Sequence, residues 1–592
     1  MKRNKSQSRQ TVVIMAVVGA LLVVWLALIA APGVPDGLVG IMRAITDGAN
    51  APFKIAIVDG TTRTVLVFLA IYAACIAMYL TTRQNKRPGE EHGSAQWGSA
   101  AALNKKYAKK PPENNKILTK KLRMSLDTQA IGRNQNTTVI GGAGSGKTLM
   151  YVKPNIAQAN CSMVILDPKG ENLRDMGFLL ESKGYRIRVL DLIRMERSHG
   201  YNPFMYLPDE NDVQRLVTNL FKSTTPKNSN TQDPFWDNAA ATLLSALIFY
   251  VREMCEPEEQ NFASVMEMLR HCEFSADSQN AVDFCFAHLE ALKPNHIALN
   301  YYTSFRNGPD KTLQQIVQIL AIRLEKFNLT GLVELTRRDE LDLRSLGEEK
   351  TALFALIPNN DTSFNFLVSI LYTQLFQQLL ASADFDHGGK LPVPVHFLMD
   401  EFANVSLPDG FEQIITVIRS REVFVSIILQ NLSQLKALYE KHWETIIGNC
   451  DELVYLGGNE ASTHKYISEL LGKETISTNT YGHTKGINGH YSVNDQTQGR
   501  ELLSPDEVRT LNNRRALVFI RGEKAVVDRK YNMFRHPNVR LTTYGGAPPY
   551  IHGTLLLPPI ASVAPIDPES IPPEVVVYTL DDFPDDTAQA AS

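Results

Sequence analysis

The chain has 592 residues, of which 44% are hydrophobic and 21% charged, and its formal net charge is −3. This composition is typical of globular proteins and excludes a fully disordered or fibrous chain. The near-neutral charge excludes a protein that is basic over its whole surface, so any surface that binds a polyanion must be a local basic region. No two of the cysteines form a C-x-x-C pair, so the sequence indicates neither a disulfide framework nor a zinc site.

Two uncharged apolar runs near the N-terminus predict membrane-spanning helices. They cover residues 12–31 and 64–80, and the first is long enough to cross a bilayer. A signal peptide explains the first run less well, because the run is too long and a second one follows. Basic residues precede the first run and follow the second. We therefore expect both termini in the cytoplasm, an external loop over residues 33–63, and an anchor in the cell membrane over residues 1–87.

The next motif is a glycine-rich loop between a predicted strand, residues 137–140, and a predicted helix, residues 149–159. The loop matches the phosphate-binding pattern G-x-x-x-x-G-K-[ST]. Its residues are Gly141, Gly142, Ala143, Gly144, Ser145, Gly146, Lys147 and Thr148. In such a loop the backbone N–H groups surround the β-phosphate, the lysine bridges the β- and γ-phosphates, and the last hydroxyl holds Mg²⁺. The sequence therefore predicts a nucleotide site that works with Mg²⁺.

The segment from residue 208 to about residue 340 has helical periodicity. Apolar residues recur at helical spacing over residues 313–327, and residues 239–251 are apolar nearly all round, which indicates a buried helix. A strand predicted over residues 351–357 then returns the chain to the sheet. We expect an all-α insertion, and its role stays open between contact with a substrate and a helical lid that only packs.

A partner acid for the phosphate loop is predicted at the end of another apolar strand. Residues 393–399 are mostly apolar and are followed by Asp400 and Glu401. Ligands bind at the C-terminal ends of the strands in open α/β sheets, so we expect this strand to neighbour the strand before the loop. Asp400 is expected to hold Mg²⁺ through its water shell, and Glu401 to polarise the attacking water.

A further strand is predicted over residues 423–429, with candidate residues on both sides. Gln430 follows it and is expected to contact the γ-phosphate. Arg419 and Arg421 precede it, and each is a candidate arginine finger that stabilises transition-state charge in a neighbouring copy. The alternative for both arginines is an ordinary solvated side chain.

Two later segments are predicted to have little regular structure. Residues 472–499 are rich in Asn, Thr, Ser and Gly, which favours a mobile hairpin or a disordered loop. Tyr481 and Tyr491 in this segment would also suit stacking on nucleotide bases. The tail over residues 545–592 is Pro-rich and then acidic, which predicts disorder and either a solvated tail or contact with a basic protein.

Together these features resemble the TraG-like type IV secretion coupling proteins, which are conjugative DNA transfer ATPases. The resemblance covers about residues 1–540 and depends on an ordered series of motifs. Besides the apolar runs, the phosphate loop and the acid strand, the series contains His92-Gly93-Ser94-Ala95-Gln96-Trp97, Asp167-Pro168-Lys169-Gly170-Glu171, Tyr201-Asn202-Pro203-Phe204, Leu429-Gln430-Asn431 and Arg500-Glu501-Leu502-Leu503.

The resemblance implies an α/β fold, a RecA-like P-loop NTPase domain with an all-α insertion, preceded by two transmembrane helices. The NTPase domain is expected over residues 88–208 and 341–544, and the insertion over residues 209–340. The family binds ATP and Mg²⁺ and forms hexameric rings on the inner side of the membrane. Such rings bring a relaxase-bound DNA strand, with other relaxosome proteins, to a type IV secretion channel and use ATP to drive its transfer.

Two other functions remain open at the level of sequence. One is a P-loop DNA translocase of the septal pump type, although such proteins usually carry more spans and a small C-terminal DNA-reading domain where this chain has an acidic tail. The other is a docking platform for protein cargo that uses nucleotide only to assemble. ATP turnover that responds to DNA separates a pump from a docking platform.

Overall fold

The structure is a computed structural model that describes residues 2–51, 55–82, 90–225, 234–272, 280–358, 361, 363–402, 410–483 and 491–553. It divides into two compact units. One contains Met1–Ser94 and Thr475–Arg500, and the other contains Ala95–Glu474 and Glu501–Ser592. The first unit carries the apolar N-terminal helices, and the second carries the predicted nucleotide site.

The regular elements alternate along most of the chain. The strands are β1 (Asn115–Ile117), β2 (Arg123–Ser125), β3 (Thr137–Ile140), β4 (Ser162–Asp167), β5 (Arg186–Asp191), β6 (Thr351–Leu356), β7 (Val395–Met399), β8 (Val423–Leu429), β9 (Glu452–Tyr455), β10 (Lys473–His483), β11 (Tyr491–Glu501), β12 (Arg515–Ile520) and β13 (Val526–Arg529). The α-helices are α1 (Lys2–Ala30), α2 (Gly37–Asn50), α3 (Thr61–Thr82), α4 (Ala100–Tyr107), α5 (Thr128–Ile131), α6 (Lys153–Gln158), α7 (Glu171–Ser182), α8 (Glu210–Thr224), α9 (Pro234–Met254), α10 (Phe262–Arg270), α11 (Ala281–Leu292), α12 (Ile297–Arg306), α13 (Asp310–Arg323), α14 (Thr330–Arg337), α15 (Asn365–Ala381), α16 (Phe411–Val417), α17 (Leu432–Leu438), α18 (Trp443–Gly448), α19 (Ala461–Leu471) and α20 (Pro505–Arg509).

The two predicted apolar runs lie in the long helices α1 and α3. The Tyr72 hydroxyl of α3 donates a 3.1 Å hydrogen bond to the Ala16 carbonyl of α1, so these helices pack against each other. By length and composition, the segments Ala16–Asn50 and Thr61–Tyr79 are long and apolar enough to cross a membrane. Two apolar segments are therefore available to anchor the chain in a bilayer.

The segment predicted as an external loop, residues 33–63, contains the helix α2. The chain turns after α1, and two glycines lie in close contact at this turn. A Cβ on Gly33 would lie only 2.1 Å from the Gly40 carbonyl oxygen, so the contact requires glycine at position 33. Helix α2 then folds back along α1, and a Cβ on Gly48 would lie 2.1 Å from the Ile29 side chain. The charged residues of α2 interrupt its apolar run, which is why hydropathy alone did not predict it.

The segment predicted as a hairpin or disordered loop, residues 472–499, contains the strands β10 and β11, which form a two-stranded sheet of their own. Residues 484–490 at its tip lie outside the described residues, and so do the side chains of Tyr481 and Tyr491. The suggestion that these aromatic rings stack on bases therefore stays a prediction.

The second unit is built on a nine-stranded sheet with the order β13-β12-β9-β3-β8-β7-β4-β6-β5. The seven strands from β9 to β5 run parallel, β12 is antiparallel to β9, and β13 is antiparallel to β12. In a parallel sheet all carboxyl ends meet at one edge, so the loops that follow β3, β8, β7 and β4 lie at the same edge.

Apolar side chains on both faces of this sheet form the core. The strands β3, β4, β6, β7 and β8 are buried along their whole length. Successive side chains of a strand point to opposite faces, and accordingly Val139 and Ile140 belong to different hydrophobic clusters. Continuous apolar strands of this kind are expected where helices cover both faces of a parallel sheet.

In the described residues between β5 and β6 the structure has seven α-helices, α8 to α14, where the sequence predicts an all-α segment. Leu313, Ile316 and Leu320 of α13 are buried, as their helical spacing predicts. After β6 comes α15, and the segment Asn365–Asp386 that contains it is also long and apolar enough to span a membrane. It is 72% buried within the protein, so it is a core helix rather than a third candidate anchor.

The ordered chain continues past residue 545, where the sequence predicts a disordered tail. The Tyr550 N–H donates to the Arg174 carbonyl at 2.9 Å. The buried His552 ring lies 2.8 Å from the Asp191 carboxylate, at the end of β5. Residues 554–592, which include the acidic part of the tail, lie outside the described residues.

Candidate nucleotide-binding site

The predicted phosphate loop joins β3 to a helix that begins with a π-helical turn at Thr148–Val152 and continues as α6. Gly144 and Gly146 have φ angles of +71° and +87°, a region that residues with a Cβ rarely adopt. The Gly142 N–H donates to the Gly457 carbonyl at 2.8 Å. The loop therefore needs its glycines for its own curvature, and the turn after β9 supports it from outside.

The Lys147 ammonium is held close to the loop. Its Nζ atom donates to the carbonyl oxygens of Gly141 at 2.7 Å and of Gly142 at 3.2 Å. Burial lowers the pKa of Lys147, and the negative charges of Asp400 and Glu401 oppose that effect. The lysine predicted to bridge two phosphates thus lies over the loop, within the electrostatic reach of both predicted acids.

The Thr148 hydroxyl donates a 2.8 Å hydrogen bond to Asp400 Oδ2. This contact joins the two residues predicted to hold Mg²⁺, although they are separated by 252 positions in the sequence. Asp400 is 4% exposed. Burial raises the pKa of its carboxyl group, whereas the Thr148 hydrogen bond and the Lys147 charge lower it.

Hard oxygen ligands are what Mg²⁺ requires, and the Thr148 hydroxyl and the Asp400 carboxylate supply two at one point. Among the described ranges, no group of three or more His, Cys, Asp or Glu side chains could hold a metal ion. A pair of protein oxygens suits an ion that usually keeps several waters and binds substrate phosphates. The donor set therefore fits Mg²⁺ bound together with a nucleotide.

Glu401 has an unusual backbone conformation. Its φ angle is +54°, in the left-handed region that is uncommon for residues other than glycine, and its N–H lies 3.1 Å from Asp400 Oδ1. Such conformations cost about 1–3 kcal/mol and cluster at functional sites. The turn directs Glu401 away from the line of β7, directly after the buried Asp400.

One prediction about the sheet is wrong. The acid strand β7 is not adjacent to the loop strand β3, because β8 lies between them and pairs with both. Gln430 follows β8, and the Leu429 carbonyl accepts a 3.0 Å hydrogen bond from the Gly141 N–H at the start of the loop. Gln430 therefore lies at the loop edge of the sheet, between the loop and Asp400.

Arg419 and Arg421 lie at the opposite edge of the sheet, before the start of β8. Arg421 forms a two-pronged ion pair with Asp384, with Nε–Oδ1 and Nη2–Oδ2 distances of 3.0 and 2.9 Å. Arg419 is exposed and forms no ion pair with any residue in the part of the chain that the structure describes. Neither arginine is at the nucleotide site of its own chain.

Asp167 is the last residue of β4, which pairs with β7, and it begins the motif Asp167-Pro168-Lys169-Gly170-Glu171. Asp167 is almost fully buried, and the Leu173 N–H donates to Asp167 Oδ2 at 2.9 Å. Burial raises the pKa of Asp167 to about 6, although that hydrogen bond opposes the shift. This carboxyl group organises the turn into α7, at the loop edge of the sheet.

Two residues beside the loop are not marked by any sequence motif. The Lys530 ammonium donates to the Ser145 carbonyl at 2.7 Å. Glu460 follows the turn at Gly457 and accepts hydrogen bonds from Ser433 and Thr463. No local pattern marks either residue, because each depends on strands that are remote in sequence.

The family described as "Type IV secretory system Conjugative DNA transfer" matches residues 96–546. Among curated proteins, the chain is 24% identical over 415 residues to protein VirD4 of Rhizobium rhizogenes, with 68% of this chain and 59% of that protein covered. It is also 24% identical over 466 residues to protein VirD4 of Agrobacterium fabrum, with 76% and 66% covered. The chain thus spans about three fifths to two thirds of the length of these relatives.

Among solved structures, the chain is similar to the bacterial conjugative coupling protein TrwBdeltaN70, with a TM-score of 0.53 and 17% identity over 77% of this chain and 98% of that one. It is equally similar to the plasmid coupling protein TrwB in complex with ADP and Mg²⁺, with a TM-score of 0.53, 17% identity and coverage of 76% and 97%. These likenesses confirm the RecA-like fold. Because the family match covers most of the sequence, the chain belongs to the type IV secretory system conjugative DNA transfer family.

Proposed function

We propose that this protein is a membrane-anchored ATPase that couples relaxase-bound DNA to a type IV secretion channel and drives its transfer during conjugation. The observation that carries the proposal is the 2.8 Å contact between Thr148 and Asp400 beside a glycine-rich phosphate loop, in a chain of the conjugative DNA transfer family. TrwB, which has the same fold, has been solved with ADP and Mg²⁺. ATP and Mg²⁺ are accordingly the ligands we assign to this site.

In this proposal each residue at the loop edge of the sheet has a separate role in ATP binding and hydrolysis. The N–H groups of the loop and Lys147 bind the β- and γ-phosphates, and Thr148 and Asp400 hold Mg²⁺, which neutralises phosphate charge when bound. Glu401 accepts a hydrogen bond from the attacking water and orients it. Gln430 contacts the γ-phosphate position, because it lies between the loop and Asp400.

The site is completed by a second copy of the chain. Arg419 precedes β8, whereas the nucleotide site lies beyond its carboxyl end, and the seven buried residues of β8 span about 23 Å at about 3.3 Å each. Arg421 is already paired with Asp384. Arg419 is therefore our choice for the arginine finger. A head-to-tail interface that closes on itself gives a ring, and six copies is the number that the family resemblance implies.

The apolar segments in α1 and α3 anchor this ring in the cell membrane. Basic residues before the apolar run of α1 and after α3 favour two spans with both termini in the cytoplasm. The helices α8 to α14 lie where the sequence predicts the insertion. They then face the cytoplasm, where the DNA substrate and its relaxase arrive. We place substrate contact on this helical segment.

ATP turnover by the full-length protein in detergent, with and without single-stranded DNA, tests the proposal. We expect turnover that DNA stimulates and that loses this stimulation as salt rises, because phosphate contacts release counterions. Lys147→Ala should abolish turnover, and Lys183→Ala, which removes an exposed lysine outside the site, should leave it unchanged. Turnover by assembled protein that ignores DNA would overturn the pump and favour the docking platform.

Glu401→Gln separates binding from hydrolysis. This variant should bind ATP with the affinity of the wild type but should not hydrolyse it, because an amide cannot accept the proton of the attacking water. Glu181→Gln is the matched control, since Glu181 is an exposed glutamate on α7. Normal turnover by Glu401→Gln would remove Glu401 from the role we assign to it.

A further inference from the structure

Lys530 lies directly after β13 and contacts the phosphate loop from outside. It is 6% exposed. Its ammonium donates to the Ser145 carbonyl at 2.7 Å and to the Asn513 side-chain oxygen at 2.8 Å. Ser145 and Lys530 are 385 positions apart in the sequence. The antiparallel end of the sheet therefore brings a cation to the middle of the loop.

The surroundings of Lys530 differ from those of the other buried lysines in the described part of the chain. Lys116 is paired with Glu452 at 2.5 Å, and Lys153 is paired with Asp175 at 2.6 Å. Lys530 has no carboxylate within 4 Å among the described residues, and both of its hydrogen-bond acceptors are neutral. Burial lowers the pKa of Lys530 to about 8. A buried cation without a counter-charge is unfavourable unless an anion binds nearby.

The contact with the Ser145 carbonyl bears directly on phosphate binding. That carbonyl and the Gly146 N–H belong to one peptide unit, and the N–H groups of such a loop are the donors to the β-phosphate. A hydrogen bond to the carbonyl polarises the peptide and strengthens its N–H as a donor. Gly146 has a φ of +87°, which residues with a Cβ rarely adopt, so the orientation of the peptide that Lys530 contacts depends on this glycine.

We infer that Lys530 is a positioning residue of the nucleotide site, which fixes the Ser145–Gly146 peptide toward the phosphates and takes their negative charge as its missing counter-charge. This inference rests on the proposed nucleotide binding and adds a residue outside every motif discussed above. It also gives the β12–β13 hairpin a part in nucleotide binding, because the hairpin carries Lys530.

Equilibrium binding of ADP with Mg²⁺ to the full-length protein, measured by isothermal titration calorimetry, tests the inference. Lys530→Met keeps the length of the side chain and removes its charge, and we expect it to weaken ADP binding about tenfold or more. Lys530→Arg retains a cationic donor and should recover most of that loss. Lys524→Met is the matched control, because Lys524 is an exposed lysine just before β13.

The outcomes separate this inference from the proposed function. A wild-type protein that binds no ADP overturns the proposed function. A wild-type protein that binds ADP, together with a folded Lys530→Met variant that binds it within twofold, overturns the role of Lys530. If Lys530→Met does not fold, Asn513→Leu removes one of the two acceptors of the ammonium and should weaken ADP binding by a smaller factor. An unchanged affinity in a folded Asn513→Leu variant likewise counts against the inference.

Discussion

Arg419 should act on the nucleotide of a neighbouring copy, and two inactive variants can test this when they are mixed. Arg419→Ala removes the proposed finger. An extended arginine side chain is about 7 Å long, which is much shorter than the roughly 23 Å of β8 that separates Arg419 from its own loop edge. Loss of an arginine finger lowers kcat by about 10³-fold or more, which is about 4 kcal/mol of transition-state stabilisation.

Arg421→Ala is the matched comparison for this variant. The Arg421–Asp384 pair is partly exposed, so its loss should cost about 0.5–1 kcal/mol of stability and leave turnover close to that of the wild type. Arg419→Ala should have the reverse effect, because Arg419 forms no ion pair within the described residues. Thermal denaturation and steady-state ATP turnover of the two full-length variants distinguish these patterns.

Mixing shows whether the finger works between copies. Lys147→Ala protein has an intact Arg419, and Arg419→Ala protein has an intact phosphate loop. In a random equal mixture about a quarter of the interfaces combine the two intact parts, so activity should return although neither variant is active alone. An equal mixture of wild type and Lys147→Ala is the control, because its ATP turnover measures how much activity a ring keeps when some of its sites are inactive. If that control is active and the variant mixture is not, the assignment of Arg419 to a neighbouring site is refuted.

Three further predictions concern the interior, the metal and acid stability. Lys116→Met should destabilise the protein by about 3–5 kcal/mol, because it leaves the Glu452 charge buried and unpaired. The Lys116→Met/Glu452→Leu double variant should recover most of this loss. Pulse proteolysis measures the stability of both variants. Thr148→Val should weaken ADP binding about tenfold in Mg²⁺ but not in EDTA. Desolvation alone would raise the pKa of Glu460, but hydrogen bonds from Ser462, Thr463 and Ser433 lower it from 4.5 to about 2. The carboxylate therefore contributes stability above about pH 4.5 that is lost as the pH falls toward 2, and thermal melts of Glu460→Gln should depend less on pH in this range than those of the wild type.

The candidate nucleotide site could be located largely from sequence because its main parts are local patterns. The loop residues 141–148 carry their own signature, and Asp400 and Glu401 are marked by the apolar strand that precedes them. The structure brings Thr148, Asp400 and Gln430 to one edge of the sheet, as the rule for parallel strands predicts. The catalytic roles of Glu401 and Gln430 stay predictions until the variants are measured.

Strand order and remote contacts could not be predicted in this way. The apolar pattern of β8 shows that it is a buried strand, but not that it lies between β3 and β7, because any order of parallel strands buries similar surface. Lys530 is a single lysine after a short strand, and only the fold brings it to Ser145. Helix α2 was missed for a different reason. Its charged residues interrupt its apolar run, and hydropathy does not detect the glycine contacts through which it folds back on α1.

The strand order also determines when the proposed nucleotide site can form during synthesis. β3 pairs only with β8 and β9 in this sheet, and Thr137 of β3 is 315 positions before its partner Glu452. At about 5–20 residues per second a ribosome needs about 15–60 s to make that stretch. The apolar helices α1 and α3 leave the ribosome long before. A nascent chain thus has its apolar helices available for a bilayer while its phosphate loop still lacks a sheet, so the proposed nucleotide site can form only after residues up to β9 have been made.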